Sequence, residues 1–192
     1  MPNPDDGGTP AGTWLDRGDT IVYDSDWVRV VTTDVMLPDG TQVDHHVVRM
    51  PRPAAGTIIV RDDRVLMLWR HRFITDTWGW EIPAGGIDPG ESPEQAAIRE
   101  AAEESGWRPR QVEHLCSYHP ANGLLDQTFH IFVACDAEHL GEPSDVNEAA
   151  RVEWVGVGEL HELLTTGRVT DGLSFGAISY AFATGALRPP AR

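Results

Sequence analysis

The stretch from Ala84 to Gly106 restricts the fold more than any other part of this chain. It begins as a glycine-rich run, Ala84-Gly85-Gly86-Ile87-Asp88-Pro89-Gly90, and continues into a segment with helix signals at both ends. Ser92 stands at the N-cap, Pro93 at the first helical position, Gln95 where it closes a capping box, and Gly106 at the C′ stop. Inside that helix Glu100, Glu103 and Glu104 are spaced i, i+3 and i+4 and share one face. Like charges so placed cost an isolated helix about 0.2–0.5 kcal/mol per pair, and Arg99 offsets only part of this through its i+4 partner Glu103. Taken alone, such a cluster reads as a solvated acidic face. Beside a glycine-rich loop it reads differently, because carboxylate oxygens and backbone carbonyls then meet at one spot. These are hard ligands suited to Mg²⁺ or Mn²⁺, ions that also bind substrate phosphate oxygens.

The rest of the chain alternates strand and turn signals before and after this segment. Thr20 to Arg49 is β-branched and alternating, with a turn at Pro38-Asp39-Gly40 that folds Val43 to Val48 back. A second hairpin runs from Gly56 to Val60 and from Arg64 to Trp69 across Asp62-Asp63, and Trp78 to Ile82 forms a short strand. Val112 to His119, Thr128 to Cys135 and Val152 to Val155 read as strands, with a loop over Ala137 to Asn147. Val157 to Thr165 and Leu173 to Thr184 are helical by apolar spacing. The expected organisation is a disordered leader over 1–13, an N-terminal β subdomain over 14–50, a main domain over 51–186, and a tail over 187–192; Pro51 and Pro53 mark the boundary.

Charge and composition exclude several functions. With 15 Lys and Arg against 30 Asp and Glu, the net charge of −15 repels a nucleic-acid backbone, and no basic stripe overcomes it. An anionic substrate therefore has to arrive with metal ions. Cys116 and Cys135 make no disulfide framework or metal-ligand spacing and read as small core hydrophobes. No secretory signal or membrane-spanning run is visible, so the chain is read as cytoplasmic, with no membrane partner. The histidines show no zinc spacing, and His45, His46, His119 and His130 read as structural or surface residues. Among the tryptophans, Trp27, Trp69 and Trp78 are candidates for stacking on a base.

Gly85, Glu91, Arg99-Glu100, Ala101, Glu103-Glu104, Gly106 and Trp107 fill the pattern G-x5-E-x7-R-E-U-x-E-E-x-G-U, so the chain resembles the Nudix hydrolase family. That resemblance implies an α+β fold, a Nudix-type mixed β-sheet between helices, preceded here by a small antiparallel strand subdomain. It also implies metal-dependent cleavage of a diphosphate linkage in a nucleotide-type small molecule. Carried over by position, Glu100 and Glu104 are the main metal ligands, Glu103 a further ligand or water partner, and the carbonyl of Ala84 completes the site. Arg99 holds the glutamates and Glu91 supports Arg99.

Outside the box, three features resemble the ADP-ribose pyrophosphatase branch, which cleaves nucleoside diphosphate sugars. One is the N-terminal strand subdomain, which in that branch makes a homodimer, with Trp27 here a candidate for base contact. The second is Trp80-Glu81-Ile82-Pro83-Ala84-Gly85-Gly86, with Arg72 at the position of a phosphate-contacting arginine. The third is Asp145-Val146-Asn147-Glu148, which resembles the acidic loop and makes Glu148 the candidate base, with Glu103 as the alternative. The chain departs from the branch at Pro120-Ala121-Asn122-Gly123, where a Ser-Pro-Gly-like turn is usual, and at Val146, where a second glutamate is usual. The competing readings are a Nudix hydrolase of a dinucleoside polyphosphate or damaged nucleoside triphosphate, and a Nudix module that senses nucleotide sugars without turnover.

Overall fold

Unpaired strands do not persist in water, so each alternating segment of the sequence has to find partners. The computed structural model describes residues 12–145 and 149–188. The expected base Glu148, the tail from residue 189 and all but two residues of the expected leader lie outside them. The described chain divides into two compact units: one holds the residues up to Pro51 plus Ala121–Gln127, the other Arg52–Pro120 and the residues from Thr128 on.

The first unit is an antiparallel sheet of β1 (Leu15–Asp24), β2 (Arg29–Met36) and β3 (Gln42–Arg49), in that order. Strand β1 starts five residues before the β-branched run at Thr20, because Asp16 and Asp19 earn a place in it by pairing with Arg49 on β3. Asp19 also accepts from Thr33 Oγ1 at 2.5 Å. Val31, Thr33 and Val35 are buried, as period-two alternation requires. Ala121–Gln127 joins this unit through the Val48 N–H on the Leu124 carbonyl at 2.9 Å and the Met50 N–H on Asp126 at 2.7 Å.

The second unit is built on β4 (Ala54–Arg61), whose residues from Ala55 to Ile59 are buried. A strand buried on both faces needs a layer on each. It leads through Asp62 and Asp63, both with positive φ, into β5 (Arg64–Arg72), but the two strands pair only at Val60–Val65 and Arg61–Arg64. Beyond that turn they splay, and β5 takes β6 (Thr77–Glu81) while β4 takes β7 (Ala84–Gly86). The glycine-rich segment read as loop is therefore partly a strand. Next come α1 (Pro93–Ser105), β8 (Trp107–Pro109), β9 (Glu113–Tyr118), β10 (Phe129–Ala134) and β11 (Ala137–His139). The chain closes with β12 (Arg151–Gly156), α2 (Val157–Thr165) and α3 (Gly172–Thr184). Strand β11 pairs with β8 inside the stretch expected to be loop. The main sheet runs β12-β5-β4-β10-β9, and it is mixed because β10 lies parallel to β4 while its other pairs are antiparallel.

One face of this sheet packs on α2 and α3 through Ile58, Met67, Ile131, Leu160, Leu173 and Ile178. The other face carries α1. Ala96, Ala97 and Ala101 are fully buried, and their small side chains let the helix approach closely enough for Thr57 Oγ1 to donate to the Ala97 carbonyl at 3.0 Å. The small residue at Ala101 packs against Ile59, Leu66 and Ala134. No described helix is long and apolar enough to cross a membrane.

The caps of α1 form as the sequence predicts: Gln95 N–H donates to Ser92 Oγ at 3.2 Å, Ser92 N–H to Gln95 Oε1 at 2.8 Å, and Gly106 is left-handed at φ 74°. A Cβ on Gly106 would lie 2.1 Å from the Gly141 carbonyl oxygen, whereas one on Gly90, at φ 86°, would meet nothing within 4 Å. Gly90→Ala should therefore cost only the left-handed strain of about 1–2 kcal/mol, and Gly106→Ala clearly more. Equal midpoints for the two variants in urea unfolding would contradict this.

Candidate active site

Arg99 organises the acidic face. From the second turn of α1 its Nε and Nη2 grip Glu91 at 2.9 and 2.8 Å, its Nη1 donates to Glu100 at 2.7 Å and Glu103 at 3.0 Å, and Nη2 also donates to the Gly86 carbonyl at 2.9 Å. One guanidinium thus ties three carboxylates to the glycine strand β7. Its hydrogen bonds to Glu91 hold Arg99 well above its usual pKa, and the same bonds lower that of Glu91. Asp88 adds a more distant contact with Arg99 at 4.0 Å and pairs with Arg52.

Glu104, one turn on, is set differently. Its side chain is 6% exposed, with Oε1 accepting from Arg70 Nη2 at 2.9 Å and Oε2 from the Ala84 N–H at 2.9 Å. Burial pushes its carboxyl up to about 7, against the pull of Arg70. Burial also raises Glu100. Arg70 in turn lies 3.8 Å from Glu81, which Arg72 clamps with two hydrogen bonds of 3.0 and 2.6 Å. The sequence singled out Arg72, but the arginine that touches the acidic helix is Arg70. The only signal for it was strand parity: on β5, Arg70 follows Leu66 and Leu68 onto the α1 face.

Glu100 faces the glycine strand so closely that a Cβ on Gly85 would fall 2.3 Å from its carboxyl carbon. This explains why a glycine opens the motif. Among the described residues, Glu81, Asp88, Glu91, Glu100, Glu103 and Glu104 lie against the guanidinium groups of Arg52, Arg70, Arg72 and Arg99. A hard divalent cation fits that donor chemistry. In their present conformations, however, no three His, Cys, Asp or Glu side chains among the described residues converge as a metal cage. The carboxylates are turned toward their arginines instead.

The structure thus brings together Arg99, Glu100, Glu103, Glu104 and Ala84, with Arg72 joined to them through Glu81 and Arg70. Trp27 belongs to the other unit, at the turn between β1 and β2, and is 78% exposed. Glu148 lies outside the described residues; of its described neighbours, the Asp145 N–H donates to the Glu103 carbonyl at 3.2 Å and the Ala150 N–H to the Trp69 carbonyl at 2.9 Å.

Comparison with known proteins agrees with this geometry. Residues 50–172 match the NUDIX domain family. The chain is 44% identical to the CMP-5'-(N-acetyl-N-hydroxy-3-aminopropyl)phosphonate hydrolase of Streptomyces rubellomurinus, over 92% of this chain and 86% of that one. It is 26% identical to the ADP-ribose pyrophosphatase of Bacillus subtilis over 83% of this chain and 87% of that one. Among solved structures, an ADP compounds hydrolase superposes with a TM-score of 0.80 at 20% identity, covering 93% of this chain and 98% of that one, which shows a shared fold. A complete acidic box on a capped helix, on this mixed sheet and with these relatives, makes the chain a member of the Nudix family and a Nudix hydrolase.

Proposed function

We propose that this hydrolase cleaves the P–O–P linkage between a nucleoside 5'-monophosphate and a second phosphorus group, using Mg²⁺ or Mn²⁺. Water adds to one phosphorus, the bridging bond breaks, and a nucleoside monophosphate leaves with a sugar phosphate or a phosphonate. The observation that carries this reading is the pair Glu100 and Glu104, held against β7 by Arg99 and by Arg70. The relatives support the substrate class, since one is named for a CMP-linked phosphonate and another for ADP-ribose. The higher identity of the first favours a CMP-linked phosphonate over the ADP-ribose expected from the sequence.

In this reading Glu100 and Glu104 hold the metal, with the Ala84 carbonyl and Glu103 beside them. The metal supplies a lowered pKa for water and neutralises charge that develops on the diphosphate. Glu148 takes the proton from the attacking water, with Glu103 as the alternative base. The Asp145 N–H on the Glu103 carbonyl supports that choice, because it places a residue three positions before Glu148 at the last turn of α1. Arg72 orients a phosphate and Trp27 stacks on the base. We further propose a homodimer through the N-terminal sheet: β1 is exposed along its length, including Ile21, Val22 and Tyr23. A nucleotide-linked metabolite as substrate suits a cytoplasmic placement.

Three measurements check these assignments. In a Mg²⁺ panel, CMP-linked phosphonate and ADP-ribose should each release a nucleoside monophosphate, and nucleoside triphosphates should be poor substrates; activity that survives exhaustive chelation overturns the metal mechanism. Gly85→Ala should keep its unfolding midpoint within about 1 kcal/mol, because the flexible Glu100 side chain can move aside, yet lose at least about a hundredfold in kcat. Near wild-type turnover would show that Glu100 need not face β7. Glu148→Gln should lower kcat strongly with little change in KM. A near wild-type Glu148→Gln beside an inactive Glu103→Gln would move the base onto α1.

A further inference from the structure

A diphosphate linkage brought to the acidic box needs hydrogen-bond donors as well as metal, and the guanidinium groups around the box differ in what they have left to give. Arg99 donates all five of its N–H groups, to Glu91, Glu100, Glu103 and the Gly86 carbonyl. The Arg70 side chain is 4% exposed and held against Glu81 and Glu104. Neither can turn to a ligand. Arg72 spends two donors on Glu81 and keeps the rest. Arg52 spends one, from Nη1 to Asp88, and its side chain is 45% exposed.

Arg52 is also firmly placed. It stands between Pro51 and Pro53, and a residue before proline is confined to extended backbone, so its side chain leaves from a stiff segment. The Ile87 N–H donates to the Pro53 carbonyl at 2.9 Å and Ala54 pairs with Gly86, which sets Arg52 beside the second glycine of β7. There the guanidinium lies over the glycine: a Cβ on Gly86 would fall 2.5 Å from Arg52 Nε and 3.0 Å from Cζ. Gly85 makes room for Glu100 on one side of β7, and Gly86 makes room for Arg52 on the other. Between the two sides, the edge of β7 away from β4 carries the box contacts, the Ala84 N–H on Glu104 and the Gly86 carbonyl on Arg99. Asp88 joins the sides, its Oδ1 on Arg52 and its Oδ2 4.0 Å from Arg99 Nη2.

We propose that Arg52 binds a phosphorus group of the substrate, its unspent N–H groups donating to phosphate or phosphonate oxygens at that edge of β7. A ligand seated there has the box glutamates on one side and Arg52 on the other. A planar guanidinium fork matches phosphorus oxygens, and its charge-assisted bonds are about twice as strong as neutral ones. Asp88 steadies Arg52 without shielding it: both partners are exposed, and an exposed ion pair is weak enough for a phosphate to displace. The inference rests on the proposed P–O–P substrate and deepens it by naming a binding residue outside the box pattern.

Calorimetric titration of the full chain with Mg²⁺ and the α,β-methylene analogues of CDP and ADP tests this, because their P–C–P bridge resists hydrolysis. Arg52→Gln should bind the analogue that wild type binds about tenfold more weakly. Arg52→Lys, which keeps the charge without the fork, should lose less. Mn²⁺ affinity, measured by electron paramagnetic resonance without nucleotide, should match wild type in both variants, because Arg52 bonds to none of Glu100, Glu103 and Glu104. On a substrate that is hydrolysed, Arg52→Gln should raise KM about tenfold. An unchanged analogue affinity in Arg52→Gln overturns the role of Arg52 and leaves the substrate reading standing. Equal losses of Mn²⁺ and analogue affinity overturn it as well, since Arg52 would then serve only to hold Asp88 and the box in place. If wild type neither binds the analogues nor hydrolyses any P–O–P compound in the panel, the substrate reading and the inference fall together.

Discussion

The grip of Arg99 on Glu91, Glu100, Glu103 and the Gly86 carbonyl is the interaction on which the site depends. Without it, α1 would carry an i, i+3, i+4 set of like charges against a strand with no side chain to neutralise them. With it, the repulsion becomes a scaffold. Glu91 lies outside the helix, before the N-cap, and so the same guanidinium ties the entry loop, the helix and β7 together. Partly buried charges held this way are costly to leave unpaired, so each member of the network constrains the others.

Packing makes the electrostatics possible. A helix faced with leucines would stand farther from the sheet, and its glutamates would open to solvent. Ala96, Ala97 and Ala101 bring α1 down until Glu100 meets Gly85 and Glu104 reaches the Ala84 N–H. The opposite face of the sheet carries the larger apolar residues packed on α2 and α3, which lets the α1 face give up hydrophobic area for chemistry. The splay of β4 from β5 after two residue pairs opens the slot that β7 and the Glu81 strand fill.

Much of this was legible in the sequence, because punctuation and motif spacing are local. Ser92, Pro93, Gln95 and Gly106 predict the helix ends, and the box residues predict which side chains meet. What was not legible depends on distant pairing. The glycine strand β7 carries no β-propensity and forms only because β4 supplies its partners. Arg70 looks like one more surface charge until strand parity turns it under α1. A bulge at Leu115 in β9 breaks the alternation that a sequence reading relies on, so His114 could not be placed with Ser117. The assignment of Ala121–Gln127 to the N-terminal unit rests on long-range hydrogen bonds such as Asp126 to Met50.

If the box holds a divalent cation, it is Arg99 that positions the carboxylates for it. Mn²⁺ titration followed by electron paramagnetic resonance tests it most directly, on wild type, Glu100→Gln and Arg99→Leu. Wild type should bind saturably, with affinity weakened about 10–100-fold in Arg99→Leu, as for loss of a group that orients ligands, and at least as much in Glu100→Gln. Equal Mn²⁺ affinity in all three proteins would contradict it.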